Sequence, residues 1–248
     1  MEASGDKNLM KPKLFLRARW ENLILITYSI NPGLLEPLMP KGLEPDTINS
    51  NAFVSLVAFD FLDTKVRGIK VPFHVNFPEI NLRFYVKTKE KRGVVFIREL
   101  VPKFFIARIA NLLFNENYKS IKMTNQVEKN STVKVKHFGF YDGLKFEIRV
   151  EGENNPYLPS EDSLEHFFKE HEWGFGKSKR GETLIYRVEH PFWEIYPVKK
   201  YSLNFDFGAI YGKKWEFLNS QRPFNMTLAV GSAVKVFSAL PLESGTKS

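Results

Sequence analysis

Between Phe77 and Val86 the chain reads F-P-E-I-N-L-R-F-Y-V. Taken as a strand, with side chains alternating at period two, Ile80, Leu82, Phe84 and Val86 fall on one side. Glu79, Asn81, Arg83 and Tyr85 fall on the other. An ordinary solvent face carries Lys, Thr and Ser. This one carries a carboxylate, an amide, a guanidinium and a phenol in consecutive places. Such a row can fix the polar end of a ligand, with Glu79 available for proton transfer. It can equally be a saturated ladder of hydrogen bonds and ion pairs, because buried charge is costly unless it is paired.

Three further basic residues have the chemistry for a site. Arg108 stands in the middle of an apolar helical run, Phe104 to Phe114. It either snorkels to water or meets a carboxylate or an anionic ligand. Lys119 and Lys122 come next, in N-Y-K-S-I-K-M. A lysine amine turns nucleophilic when apolar burial or a neighbouring cation lowers its pKa. Two solvated loop lysines are the plainer alternative. The histidines suggest no metal site: His166 and His171 are five apart, whereas one helix face needs three or four. Gly174-Phe175-Gly176-Lys177 lacks the strand, the spacing and the subsequent Ser/Thr of a phosphate loop. No serine-hydrolase, dinucleotide or kinase motif occurs. No cofactor is implied.

The elements that would position these residues are mostly strands. Leu14–Trp20 and Leu23–Ser29 read as two strands, Phe53–Leu62 as one covered on both faces, and Val94–Leu100 as the return of a hairpin after the Phe77 strand. Thr124–Glu128, Val133–Tyr141 and Leu144–Glu151 read as a meander turning at Asp142-Gly143. Short helices are expected at Leu34–Met39 after an Asn31 cap, at Pro102–Phe114, from Glu161 to about Glu172 after a Ser160 cap, and at Lys213–Asn219. Lys199–Phe207 is expected to be extended. Strands and helices do not alternate, so a doubly wound sheet is excluded. The expectation is one domain over residues 1–248, with tails at 1–11 and 241–248. Its fold is a β-rich closed barrel with a few short helices packed on it.

Bulk composition narrows the class. The chain has 248 residues, 43% hydrophobic and 15% aromatic, with 23 phenylalanines. That suits a large interior or an apolar cavity lined by rings. The net charge of +8 sits in turn-like runs, Lys87–Arg92 and Lys177–Arg180. It argues for solvated loops rather than nucleic acid. The absence of cysteine excludes disulfides, thiolate metal sites and a cysteine nucleophile. No secretion signal or bilayer-spanning run is visible, so a cytoplasmic location is expected.

Several segments together resemble a known family. R-W-E-N-L at Trp20, P-L-M-P-K-G-L at Pro40, S-L-V-A-F from Ser55, F-P-E-I-N-L-R-F-Y-V from Phe77 and G-V-V-F-I from Gly93 resemble the YqjF-like bacterial domain of unknown function. K-E-H-E-W-G-F-G from Lys169, V-E-H-P from Val188 and V-G-S-A-V-K-V from Val230 continue the pattern. That family is similar in fold to acetoacetate decarboxylase, which implies a closed β-barrel with an internal cavity. In those relatives a buried lysine forms a Schiff base with a β-keto acid, helped by a second lysine and by Glu and Arg. Glu79 falls on the strand that supplies the acid, and Ala107-Arg108 resembles a small-residue-plus-Arg pair there. The adjacent lysines of the relatives are not matched; Lys119 is the nearest candidate. Three functions remain open. The first is a barrel holding a small, partly apolar, anionic molecule through Glu79, Asn81, Arg83, Tyr85 and Arg108. The second is a Schiff-base enzyme decarboxylating or condensing a keto acid through Lys119. The third is a structural or regulatory homodimer.

Overall fold

The structure, a computed structural model, describes residues 11–102 and 117–242. The helix expected at Pro102–Phe114, and Arg108 with it, lies outside the described residues.

The first strand, β1 (Leu14–Ile30), is one element where two are expected. Asn22 takes a left-handed φ of 56°, and the register against the next long strand shifts between Glu21 and Ile24. A bulge thus absorbs the polar break and the strand continues. Asparagine tolerates this conformation because its side chain is short and polar. The remaining long strands of the chain's first half are β3 (Ala52–Val66), β4 (Phe77–Lys87) and β5 (Arg92–Val101), with the two-residue β2 (Glu44–Pro45) between β1 and β3. After them come β6 (Tyr118–Ser120), β7 (Lys122–Lys129), β8 (Thr132–Tyr141) and β9 (Leu144–Glu153). The last third supplies β10 (Trp173–Lys177), β11 (Thr183–Glu189), β12 (Ile195–Tyr196), β13 (Val198–Asn204), β14 (Asn225–Phe237) and β15 (Leu240–Pro241).

Among the described residues these strands make two sheets rather than the single one expected. The eleven-stranded sheet runs β12-β14-β1-β3-β4-β5-β10-β11-β15, with β2 beside β4 and β6 beside β5. β11 pairs in addition with β14, through Val188↔Val236 and Glu189↔Lys235. The expected meander is a separate four-stranded sheet, β13-β9-β8-β7. Leu240 and Pro241 pair with Ile185 and Leu184, so the sheet extends to 241, the first residue of the expected tail.

The two sheets share one apolar core. Ile80, Leu82, Phe84 and Val86 of β4 are fully buried in it with Val133, Val135, Phe146, Ile148 and Val150 of the smaller sheet. Removing each such side chain from water contributes about 1.5–3 kcal/mol. Aromatic residues of the last quarter, Phe205, Phe207, Tyr211 and Trp215, belong to the same core. Phe207 and Tyr211 come from a helix at Phe207–Tyr211, which begins where extension is expected to end, and Trp215 from a 3-10 helix at Lys213–Asn219. Asp206 explains the first helix: its carboxylate accepts from Ala209 N at 3.0 Å and caps it. The opposite face of the large sheet buries a second cluster, including Leu23, Leu25, Val57, Phe59, Phe61 and Trp193. β4 is therefore covered on both sides.

The helix expected from Glu161 is shorter, Leu164–Lys169, because Ser163 rather than Ser160 caps it. Gly174 to Lys177 lie in β10. Among the described residues no helix is long and apolar enough to cross a membrane.

His137 on β8 shares the core face with Val133 and Val135, and neither ring nitrogen has a partner. Burial pushes its pKa down to about 3. Its unfolded value is about 6.5, so between these limits the unfolded chain binds more protons and the folded state loses stability as pH falls. His137→Leu should flatten this loss. Urea unfolding at pH 7 and pH 5 should show the variant gaining about 2 kcal/mol on the wild type over that interval. Parallel pH profiles would refute the assignment.

Candidate functional site

A cavity of about 120 Å³ lies on the second face of the large sheet. Trp20, Phe59, Phe61 and Trp193 form one apolar wall, and Phe96, Trp173 and Tyr186 another. Its polar lining comes from Glu79, Asn81, Arg83, Glu99 and His171. The alternation of β4 thus turns Glu79, Asn81 and Arg83 together toward one cavity.

Two bulges complete the lining. β4 pairs with β5 as Leu82↔Arg98 and then Arg83↔Phe96, so Ile97 is an extra residue. In a regular strand Phe96 and Glu99, three apart, would face opposite ways. The extra residue brings both to the cavity. Asn22 does the same in β1, where Trp20 and Leu23 both line it. Gly231 is opposite Glu21 with φ 89°. A Cβ there would stand 1.9 Å from the Trp20 carbonyl oxygen, so this close approach requires glycine.

The polar row divides between site and ladder. Asn81 Nδ2 donates to Glu79 Oε1 at 3.1 Å, leaving Asn81 Oδ1 without a partner. Arg83 donates from one terminal nitrogen to the Phe168 carbonyl at 3.1 Å, and its Nε has no partner. Tyr85 is fully buried and away from the cavity lining. Its hydroxyl hydrogen-bonds Ser55, which in turn shares a 2.6 Å bond with Thr27, and it donates to the Phe168 carbonyl at 3.3 Å. Phe168 is in the last turn of Leu164–Lys169, where carbonyls lack helical partners. Arg83 and Tyr85 together complete that end, and the positive charge suits it.

Three residues past Phe168 stands His171, which the sequence marks only by its spacing from His166. Both its ring nitrogens are buried without partners. Burial, then the nearby Arg83 and Arg92, hold its pKa well below the ordinary imidazole value, so it is neutral. It offers one donor and one acceptor. The intervening Lys169 and Glu170 form a buried ion pair. Glu170 also accepts from Trp193 N at 3.0 Å and lies 3.7 Å from His190. The His190 ring stacks on Trp193 at 4.1 Å, and the indole N–H donates to Ser232 at 2.8 Å. These contacts fix one wall of the cavity. No period or motif in the sequence singles out Glu99, His171, Lys169 or Glu170 as site residues.

Lys119, the expected nucleophile, is placed elsewhere. Its ammonium is 3.0 Å from Asp142, lies 3.8 Å from the Tyr141 ring centre, and is not in the cavity lining. Its hydrogen bonds to Tyr141 and Asp142 raise its pKa, the reverse of what a Schiff-base amine needs. Lys122 is exposed.

Residues 17–232 match the DUF2071 family, an uncharacterized conserved protein. The chain is similar to the uncharacterized protein YqjF of Bacillus subtilis (strain 168), 33% identical over 98 residues. That match spans 38% of this chain and 40% of the relative. Among solved structures it is similar to an acetoacetate decarboxylase-like enzyme from Sphingomonas wittichii RW1, with TM-score 0.64 and 12% identity over 98% of both chains. The enduracididine biosynthesis enzyme MppR complexed with pyruvate gives 0.62 and 10%, over 98% of this chain and 95% of that one. Acetoacetate decarboxylase from Legionella pneumophila subsp. pneumophila str. Philadelphia 1 gives 0.60 and 12%, over 95% and 90%. At these identities the likeness is one of fold.

The division of the polar row is testable by stability. Tyr85→Phe leaves a buried serine and the Phe168 carbonyl short of a partner and should cost about 1–3 kcal/mol. Lys119→Ala removes a surface pair with Asp142 and a contact with the Tyr141 ring and should cost about 0–1 kcal/mol. Guanidinium unfolding of both variants checks the order; a larger loss for Lys119→Ala would reverse it.

Proposed function

Since the chain belongs to the DUF2071 family, whose description names no activity, we propose from the cavity itself that the protein binds a small, largely apolar molecule with an anionic head. In this reading the large sheet works as a closed barrel, an interpretation supported by the β11–β14 ladder. Its fold neighbours include an acetoacetate decarboxylase-like enzyme and an acetoacetate decarboxylase.

One observation carries the proposal. Residues lining a mostly apolar cavity keep buried polar atoms that the described protein does not satisfy: Trp20 Nε1, Arg83 Nε, Asn81 Oδ1 and the His171 ring. Each costs about 1–3 kcal/mol if left unpaired. Donors outnumber acceptors among them, and Arg83 is the cation of a described lining that also holds Glu79 and Glu99, so an acceptor-rich head with at most one negative charge, set against Arg83, matches best. Arg83 and the His171 N–H would hold that head, Asn81 Oδ1, oriented by the bond from Nδ2 to Glu79, would accept from a donor group on the molecule, and the aromatic walls would take the apolar body. Tyr85 would act at one remove by fixing the helix end before His171. No observation favours an amine-based reaction at Lys119.

Native mass spectrometry of the purified protein, followed by extraction, tests this. The expected result is a small-molecule adduct that disappears in Val57→Phe, since Val57 lines the cavity opposite Asn81. Overfilling should cost about 1–3 kcal/mol of stability. An adduct equally abundant in Val57→Phe would place the molecule outside the cavity and overturn the reading.

A further inference from the structure

We infer that the occupant is a monocarboxylic acid built on a single aromatic ring, a benzoate-like compound. The inference rests on the binding reading above and adds the class of molecule.

Size comes first. About 120 Å³ is on the scale of the ~150 Å³ engineered apolar cavity that takes up benzene. One ring with a short head is on that scale. The wall then selects a ring over an aliphatic body. Trp20 meets Phe59 at 5.2 Å and Phe61 at 5.6 Å in edge-on contacts. Phe59 and Phe61 tilt against each other at 5.1 Å. Flat faces and edges at these spacings continue into an aromatic guest, which gains attraction beyond its buried area. Trp173 and Tyr186 offer the same from another side.

The head is read from donors. One terminal nitrogen of Arg83 is engaged with the Phe168 carbonyl, leaving Nε as its unmatched donor. Neutral His171 supplies a second N–H. With the Trp20 indole N–H that makes three donors, which the two oxygens of a carboxylate can accept and the single oxygen of an alcohol cannot. Glu79 and Glu99 line the same cavity, so a doubly charged phosphate would sit against two acidic side chains with one arginine to offset them. A single negative charge is the better match. Asn81 Oδ1 remains as an acceptor and would take a ring hydroxyl.

Isothermal titration calorimetry on the full chain, after removal of any co-purified molecule, decides this. The probes are benzoate, its three hydroxy derivatives, cyclohexanecarboxylate, benzyl alcohol and phenyl phosphate. Benzoate should bind roughly three- to tenfold tighter than cyclohexanecarboxylate and ahead of benzyl alcohol and phenyl phosphate. One hydroxybenzoate should match or exceed benzoate. In His171→Leu, with the fold checked by circular dichroism, the preference for benzoate over benzyl alcohol should shrink about tenfold. Equal or tighter binding of cyclohexanecarboxylate, phenyl phosphate or benzyl alcohol would overturn the inference and leave the binding reading standing. So would a co-purified cavity molecule together with no response to any probe. No response and no co-purified molecule would overturn both.

Discussion

A strand buried on both faces must find a partner for every polar side chain it carries, and β4 is such a strand. Its apolar side holds the two sheets together through Ile80, Leu82, Phe84 and Val86. Its other side is largely buried too, with Arg83 half-buried, so Glu79, Asn81 and Tyr85 must be satisfied inside the fold. The structure meets this in two ways along one strand. At the Tyr85 end, the hydroxyl joins Thr27, Ser55 and the Phe168 carbonyl in a continuous chain. At the Glu79 end, the polar groups border a cavity. Arg83 joins the two halves, because one of its nitrogens caps the helix end while its Nε is unmatched at the cavity.

The same constraint explains why a short helix matters. Leu164–Lys169 is too short to persist on its own. It is fixed at one end by Ser163, which accepts from His166 N, and at the other by Arg83 and Tyr85. The residues at and just beyond its end are thereby fixed as well: the buried Lys169–Glu170 pair, then His171. Breaking a buried pair by removing one partner costs about 3–5 kcal/mol. This segment is held more firmly than its length implies, and it presents a neutral imidazole to the cavity at a defined place.

Much of the fold is legible in the sequence. Period-two alternation gives the face of β4, the meander of β7 to β9 and the mainly β class. The segments around Trp20, Pro40, Phe77 and Lys169 give the family and its fold. The misses have physical causes. The break at Glu21-Asn22 reads as a strand end, yet a left-handed asparagine and a glycine opposite Glu21, Gly231, keep β1 continuous. The bulge at Ile97 shifts the parity of β5, so strict alternation cannot put Phe96 and Glu99 on one side. Bulges arise from pairing between distant strands, and local pattern does not report them. The choice between Ser160 and Ser163 as a helix cap is likewise settled by the fold.

The lysines make the sharper case. The family resemblance makes Lys119 the nearest candidate amine, and the sequence assigns Lys169 no role in a site. In the fold their environments are reversed: the Lys169 side chain is fully enclosed against Glu170, and Lys119 sits at the surface over Tyr141. Neither amine stands isolated in apolar surroundings, since each has a carboxylate partner. The described cavity lining contains no lysine. It contains instead an arginine, an amide, two glutamates and a neutral histidine among aromatic rings. That set can hold and orient a small acid. The described lining offers carboxylates and an imidazole, and no amine.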